Sequence, residues 1–87
     1  MSVRAIKIDA RDNVAVVVAD VGAGARVRID DGDEVTATQP VPRGNKIALT
    51  VIAAGEAVIR YGEEIGVATS DIAAGEHVHT HNLGGRK

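Results

Sequence analysis

Residues 77 to 82 read His-Val-His-Thr-His-Asn, and this hexapeptide holds all three histidines of the chain. Neutral imidazole is the commonest nitrogen ligand for borderline metals, and it titrates near neutral pH. A segment that gathers every imidazole is therefore a candidate for metal binding, proton transfer or anion binding. On a β-strand, His77, His79 and His81 would share one face while Val78 and Thr80 lie on the other. Strand residues two apart are separated by roughly 6.5 Å and those four apart by roughly 13 Å, so a neighbouring pair could converge on one ion. All three could do so only if the strand ends or bends near Asn82, where Leu83-Gly84-Gly85 offers a turn. A catalytic metal site needs about three protein ligands and an open position, and the chain has no cysteine to add one. The plain alternative is a row of solvated histidines on an exposed strand or tail. The interleaved Val and Thr and the closing Arg86-Lys87 argue against a purification tag.

Whatever positions these residues must be small. The sequence of 87 residues is read as one domain over 1–87, and its 45% hydrophobic content excludes a disordered chain. Tyr61 is the sole aromatic residue, so the core must be built from Val, Ile, Leu and Ala. Such a thin core without disulfides is expected to gain stability by forming homo-oligomers or docking on a larger protein. The lack of cysteine excludes a thiol nucleophile and an iron–sulfur cluster on this chain's own thiolates. A net charge of −2 spread over mixed signs, with one aromatic residue, argues against nucleic-acid binding. The N-terminus lacks a signal-peptide apolar run, and the run Val14 to Ala19 is too short to span a bilayer, so a cytoplasmic protein without membrane contact is expected.

The pattern is that of strands. Alternation is clear at Ile6 and Ile8, at Val35 and Ala37, and at Ile47, Leu49 and Val51, with turn formers at Asp12-Asn13, Gly22 to Gly24, Asp30 to Asp33, Pro40 to Gly44, Gly55, Gly62 and Gly75. This predicts an all-β domain of about seven or eight short strands with at most a turn or two of helix. One local pattern recurs at Val21 to Val27, Ile52 to Val58 and Ile72 to Val78, each with an apolar residue three before a Gly and a Val three after it. The physical reading is a strand end, a turn needing positive φ at Gly, and re-entry into a strand with a buried Val. Unequal spacing argues for reused turn chemistry in one barrel-like unit rather than a solenoid.

The series Ile6-Lys7-Ile8, Asp12-Asn13-Val14-Ala15, Arg43-Gly44-Asn45-Lys46-Ile47-Ala48-Leu49, Val58-Ile59-Arg60-Tyr61-Gly62, Ile65-Gly66 and Asp71 to Asn82 resembles the small domain of the altronate dehydratase family. The resemblance covers nearly the whole chain. It implies an SAF domain with a β-clip fold, found either fused ahead of a large catalytic domain or as a separate small subunit, as in sulfolactate sulfo-lyase. The implied reaction is β-elimination from a 2-hydroxy acid to give a 2-oxo acid, with hydroxide leaving from altronate and sulfite from sulfolactate. Such chemistry needs an enediolate stabilised on the carboxylate and help for the leaving group, which a divalent metal can supply. The resemblance suggests iron(II), with His79 and His81 as first candidates for catalytic acid/base groups or ligands and His77 as a third ligand. The implied partner is a separate large dehydratase subunit, and the substrate a sugar acid or a sulfolactate-like acid.

One departure stands out, since relatives carry Gly-His-Lys where this chain has Gly44-Asn45-Lys46. Asn cannot shuttle a proton near neutral pH and is a poor ligand for iron or zinc. Lys46 and Arg43 are candidate substrate-binding cations, against the alternative that a strand edge and a loop leave them in solvent. Tyr61 is expected to be a core or interface residue rather than a catalytic one. Asp30 to Glu34 lacks calcium-loop spacing and reads as a solvated hairpin turn, and Glu63-Glu64 reads as a surface turn. Two other functions fit the residues: a non-catalytic SAF module that binds a carbohydrate or other ligand, and a stand-alone metal-binding protein.

Overall fold

Closely spaced turn residues cut the chain into strands of six residues or fewer: β1 (Val3–Ile6), β2 (Val14–Val17), β3 (Arg26–Ile29), β4 (Glu34–Thr36), β5 (Lys46–Ala48), β6 (Ala57–Arg60), β7 (Glu63–Ala68), β8 (His77–Val78) and β9 (Leu83–Gly84). They come from a computed structural model that describes residues 2–85, so the chain-closing Arg86-Lys87 lies outside the described residues. Among the described residues there is no helix, as the all-β reading expects. The count exceeds the expected seven or eight because the histidine segment and the residues just after it contribute two strands of two residues each.

Six strands form a sheet in the order β4-β3-β1-β2-β5-β8, and β6-β7-β9 form a second sheet. Pairing is antiparallel except between β1 and β3, which run parallel. β2 and β5 lie inside the larger sheet with apolar packing on both faces. Ala15, Val17 and Ile47 belong to one core cluster, whereas Val14 and Ala48 belong to the other. That two-sided burial is why the Val14 to Ala19 stretch reads as a continuous apolar run instead of alternating. The alternating windows overran their strands. β1 ends at Ile6 and β5 at Ala48, so Ile8 and Val51 fall in connections and are 66% and 67% exposed.

The recurring glycine turn has the expected geometry, with φ of 86°, 86° and 89° at Gly24, Gly55 and Gly75. Val27, Val58 and Val78 are all fully buried after it. The structure adds a fourth copy, Val41 to Ile47, with Gly44 at φ 81° and Ile47 buried. Its Pro-Arg before the glycine and Ile after it hide it in the sequence. With four copies the spacing becomes regular: 31 residues separate Gly24 from Gly55, and the same 31 separate Gly44 from Gly75. Hydrogen bonds repeat at that interval. Val21 and Val41 exchange a pair of backbone bonds, as do Ile52 and Ile72; Gly44 N–H donates to Val17 O as Gly75 N–H donates to Ala48 O. β5 therefore stands to β8 as β2 stands to β5. The domain is built from two equivalent units, a regularity beyond shared turn chemistry.

Other expectations need correction. Leu83-Gly84 is strand β9, not a turn. Glu63 and Glu64 begin strand β7, and the turn before them is Tyr61-Gly62, both with positive φ, as a two-residue hairpin loop requires. Tyr61 is not a core residue: it is 43% exposed, with its ring 5.4 Å from the Arg60 guanidinium carbon. Asp30 to Asp33 forms the exposed β3–β4 hairpin turn, with Asp31 paired to Lys7 at 3.0 Å.

Candidate functional site: a histidine turn

The turn that leads into the histidines is fixed more tightly than its three equivalents. A Cβ added at Gly75 would collide with the carbonyl oxygen of Thr36, whereas the same atom at Gly24, Gly44 or Gly55 meets open space. This close approach docks the connection after β4 on the turn, with Thr38 N–H donating to Gly75 O at 2.9 Å. Gln39 then accepts from the His77 N–H at 3.1 Å, and β5 pairs Ile47 with His77. Three separate contacts thus set where His77 begins its strand.

The strand ends at Val78, four residues earlier than Asn82, and the chain turns over residues 79–82. Asn82 makes that turn. Its side chain is buried, its Oδ1 accepts from His79 N–H at 2.9 Å, and its Nδ2 donates to His77 O at 2.9 Å. The backbone closes with Asn82 and Leu83 N–H both donating to His79 O. An extended strand would have spread the outer rings apart. The turn instead brings His79 and His81 each to 5.4 Å from the His77 ring, the first stacked at 10° and the second tilted at 44°.

Stacking limits coordination. Nitrogen lone pairs lie in the ring plane, so two nearly parallel rings direct them side by side and not to a common point. Among the described residues no three His, Cys, Asp or Glu side chains are placed to hold a metal ion. In this arrangement the three histidines do not fit a complete iron(II) site.

His77 is half-buried, while His79 and His81 are exposed. Burial holds the His77 pKa below 6.5, helped by the charges of His81, His79 and Lys46. Its Nε2 lies 3.1 Å from Asn45 Oδ1, and in the Nε2–H tautomer it donates that hydrogen bond and leaves Nδ1 as an acceptor. Asn45, where the family resemblance leads one to expect a histidine, is thus in direct contact with the cluster.

Lys46 is not on a sheet edge. It sits in β5 between β2 and β8, beside Val78, half-buried; burial lowers its pKa, with the positive charge of Arg60 adding to the effect. Arg43 is on the exposed loop before β5, its N–H donating to Asp20 at 2.8 Å and its carbonyl accepting from Asn45 Nδ2 at 3.4 Å. Asn82 and Gln39 belong with the site although sequence reasoning gave them no role. Asn82 carried one signal, a short hydrogen-bonding side chain where a strand must turn. Two clefts open elsewhere, one lined by Lys7, Asp12, Glu34 and Leu49 and the other by Arg4, Arg28 and Asp30; neither includes a histidine.

Residues 3–86 match the family model described as the altronate/galactarate dehydratase SAF domain. The chain is 57% identical over 77 residues to an altronate dehydratase of Escherichia coli, covering 88% of this chain and 15% of that protein. It is 37% identical over 89 residues to (2R)-sulfolactate sulfo-lyase subunit alpha of Chromohalobacter salexigens, covering 95% of each chain. The corresponding subunit of Paracoccus pantotrophus is 46% identical over 57 residues, covering 64% of this chain and 85% of that one. The chain spans about 15% of the length of the altronate dehydratases it matches. With nearly its full length covered by one family model, this chain belongs to the altronate/galactarate dehydratase SAF-domain family.

Proposed function

We propose that the chain is the small subunit of a sugar-acid dehydratase-type lyase that acts with a separate large catalytic subunit in the cytoplasm. The reaction is β-elimination: a base takes the proton next to the carboxylate, the C–O bond on the neighbouring carbon breaks with loss of water, and the enol tautomerises to a 2-oxo acid. The observation that carries this reading is the histidine turn, which presents two exposed imidazoles outside the clefts lined by Lys7 and Asp12 and by Arg4 and Arg28. Such a surface suits a wall of an active site completed by another polypeptide. The match along 95% of a sulfo-lyase subunit supports a two-chain arrangement.

Within it, His79 and His81 move protons at their ring nitrogens, and Lys46 and Arg43 are the proposed cations for the acid. His77, pinned by Asn45 and Gln39, packs the other two rings in place. A divalent ion such as iron(II) would supply charge stabilisation to the enediolate, with ligands from outside this chain needed beside the histidines. One observation favours the alternative of a non-catalytic ligand-binding module: His77 faces Asn45, a side chain that cannot relay a proton.

Capture of the chain from its native cell extract, followed by assay with altronate and with sulfolactate, with and without ferrous iron, tests the proposal. We expect a large subunit to come with it and a 2-oxo acid, or sulfite, to form. A chain that comes down alone and binds a sugar acid without changing it would establish the binding module instead.

A further inference from the structure

Each of the four glycine turns is followed by a residue whose N–H bonds back across its own turn: Ala25 to Gly22 O, Asn45 to Pro42 O, Glu56 to Ala53 O and Glu76 to Ala73 O. The backbone is shared, so these places differ in their side chains. Ala25 has no polar group there, and Glu56 caps its own turn by accepting from Ala53 N–H at 2.7 Å. Asn45 reaches another element. Its Nδ2 donates to Arg43 O in its own turn at 3.4 Å, and its Oδ1 lies 3.1 Å from His77 Nε2 on β8.

Those two contacts together fix where a proton sits. A carbonyl oxygen only accepts, so the amide end that faces Arg43 O is the nitrogen and the end that faces His77 is the oxygen. An amide oxygen likewise only accepts, so the ring nitrogen opposite it carries the hydrogen. A neutral imidazole otherwise exchanges its proton between two nitrogens and turns about χ2 between broad orientations. Asn45 removes both freedoms at His77. Its own backbone is held on both sides, with its N–H donating to Pro42 O and its O accepting from Val17 N–H, each at 3.0 Å. The His77 backbone is held as well, by Gln39 at its N–H and by Asn82 at its O. With chain and ring both tied, His77 is a fixed plate. His79 stacks on it and His81 tilts against it, each with its centroid 5.4 Å away.

We propose that Asn45 is a positioning residue of the histidine turn. It holds His77 as the Nε2–H tautomer in one ring orientation, and through that ring it sets where His79 and His81 stand. A histidine in place of Asn45 would leave the proton shared between two rings, whereas an amide, which neither titrates near neutral pH nor exchanges tautomers, assigns it. Asn45 relays no proton but fixes one. The inference rests on the lyase-subunit reading for its bearing on turnover, and its structural half is tested without partner or substrate.

Imidazole nitrogen NMR of the full chain at about pH 8, where an ordinary imidazole is neutral, reads the tautomer directly. His77 should show a protonated Nε2 and a bare Nδ1. Asn45→Leu should give His77 averaged nitrogens and weaken its ring contacts with His79 and His81, while the strand amide signals stay in place. Asn45→Asp keeps an oxygen opposite Nε2 and should retain the tautomer. In the captured complex, Asn45→Leu should lower kcat at least about tenfold with a smaller change in KM, and Asn45→Asp should recover part of that loss.

A protonated Nδ1 or averaged nitrogens at His77 in the wild-type chain would overturn the inference, whether or not any variant folds. So would an unchanged tautomer with unchanged ring contacts in Asn45→Leu. The two readings fail separately. A fixed His77 that Asn45→Leu releases, in a captured complex without turnover, removes only the lyase; turnover with kcat unaltered in Asn45→Leu removes only the positioning role.

Discussion

Two copies of one structural unit sit in this chain, and they differ in what they build on a shared set of glycine turns. Residues 21–48 and 52–79 share the glycine turns, the isolated bridges Val21–Val41 and Ile52–Ile72, and a buried branched residue after each turn. In the first unit the key places hold apolar or plain strand residues: Ile29 is core, and Ala48 is buried between β2 and β8. In the second, the positions 31 residues on hold Arg60, on the edge strand β6, and His79. The histidines thus belong to the second copy, and the first contributes Asn45, which bonds His77, and the neighbouring Lys46. A repeat lets a small fold keep a stable copy and load the second with polar groups that cost it stability.

The sharpest way to break the comparison is at the glycines. Gly75→Ala should cost at least about 4 kcal/mol and threaten folding, because positive φ strain is joined by a backbone clash with Thr36. Gly24→Ala, with similar φ and open space, should cost about 1–2 kcal/mol in urea unfolding. Equal losses would show that the second copy is not specially locked. Ile29→Ala should destabilise by about 3 kcal/mol in the same assay because it empties a buried place, whereas Arg60→Met, on the edge strand β6, should change stability by less than about 1 kcal/mol. A similar cost at both places would mean that the two units use them alike.

Asn82→Ala should cost about 2 kcal/mol, since it leaves His79 N–H and His77 O without their partner, and it should separate the histidine rings as read by their NMR contacts. Retained ring contacts would assign the turn to the backbone alone. The smallest effect concerns Asp12, which joins the loop after β1 to the Tyr61-Gly62 turn of the second unit. Burial pushes its pKa up, but N–H donors from Gly62, Asp9, Tyr61 and Ile8 outweigh that and hold it below 3.8. A depressed carboxylate stabilises the fold above its unfolded pKa, and that contribution is lost as pH falls through the folded value. Asp12→Asn should therefore cost about 1–2 kcal/mol near neutral pH, with the gap from wild type closing as pH drops below 3.8. A gap independent of pH would contradict the charge-based account.

Strands and turns were legible because glycine positions and two-residue periodicity are local properties. Three of the four glycine turns could be read directly, and the fourth was masked by Pro42-Arg43 and Ile47. The histidines were legible as a cluster by residue type alone. Their arrangement was not: it depends on Asn82, whose bonds to His77 and His79 end the strand early. Lys46 was misplaced for a similar reason, since whether a strand is an edge depends on β8 pairing with β5 from far along the chain.

The most direct measurement is turnover of the captured complex carrying His79→Ala or His81→Ala. Both side chains are exposed, so neither variant should shift the melting temperature appreciably. We expect kcat to fall about a hundredfold or more in at least one of them, the loss typical of removing a general acid or base. Near-normal turnover in both, with the fold intact, would contradict the placement of chemistry on the histidine turn.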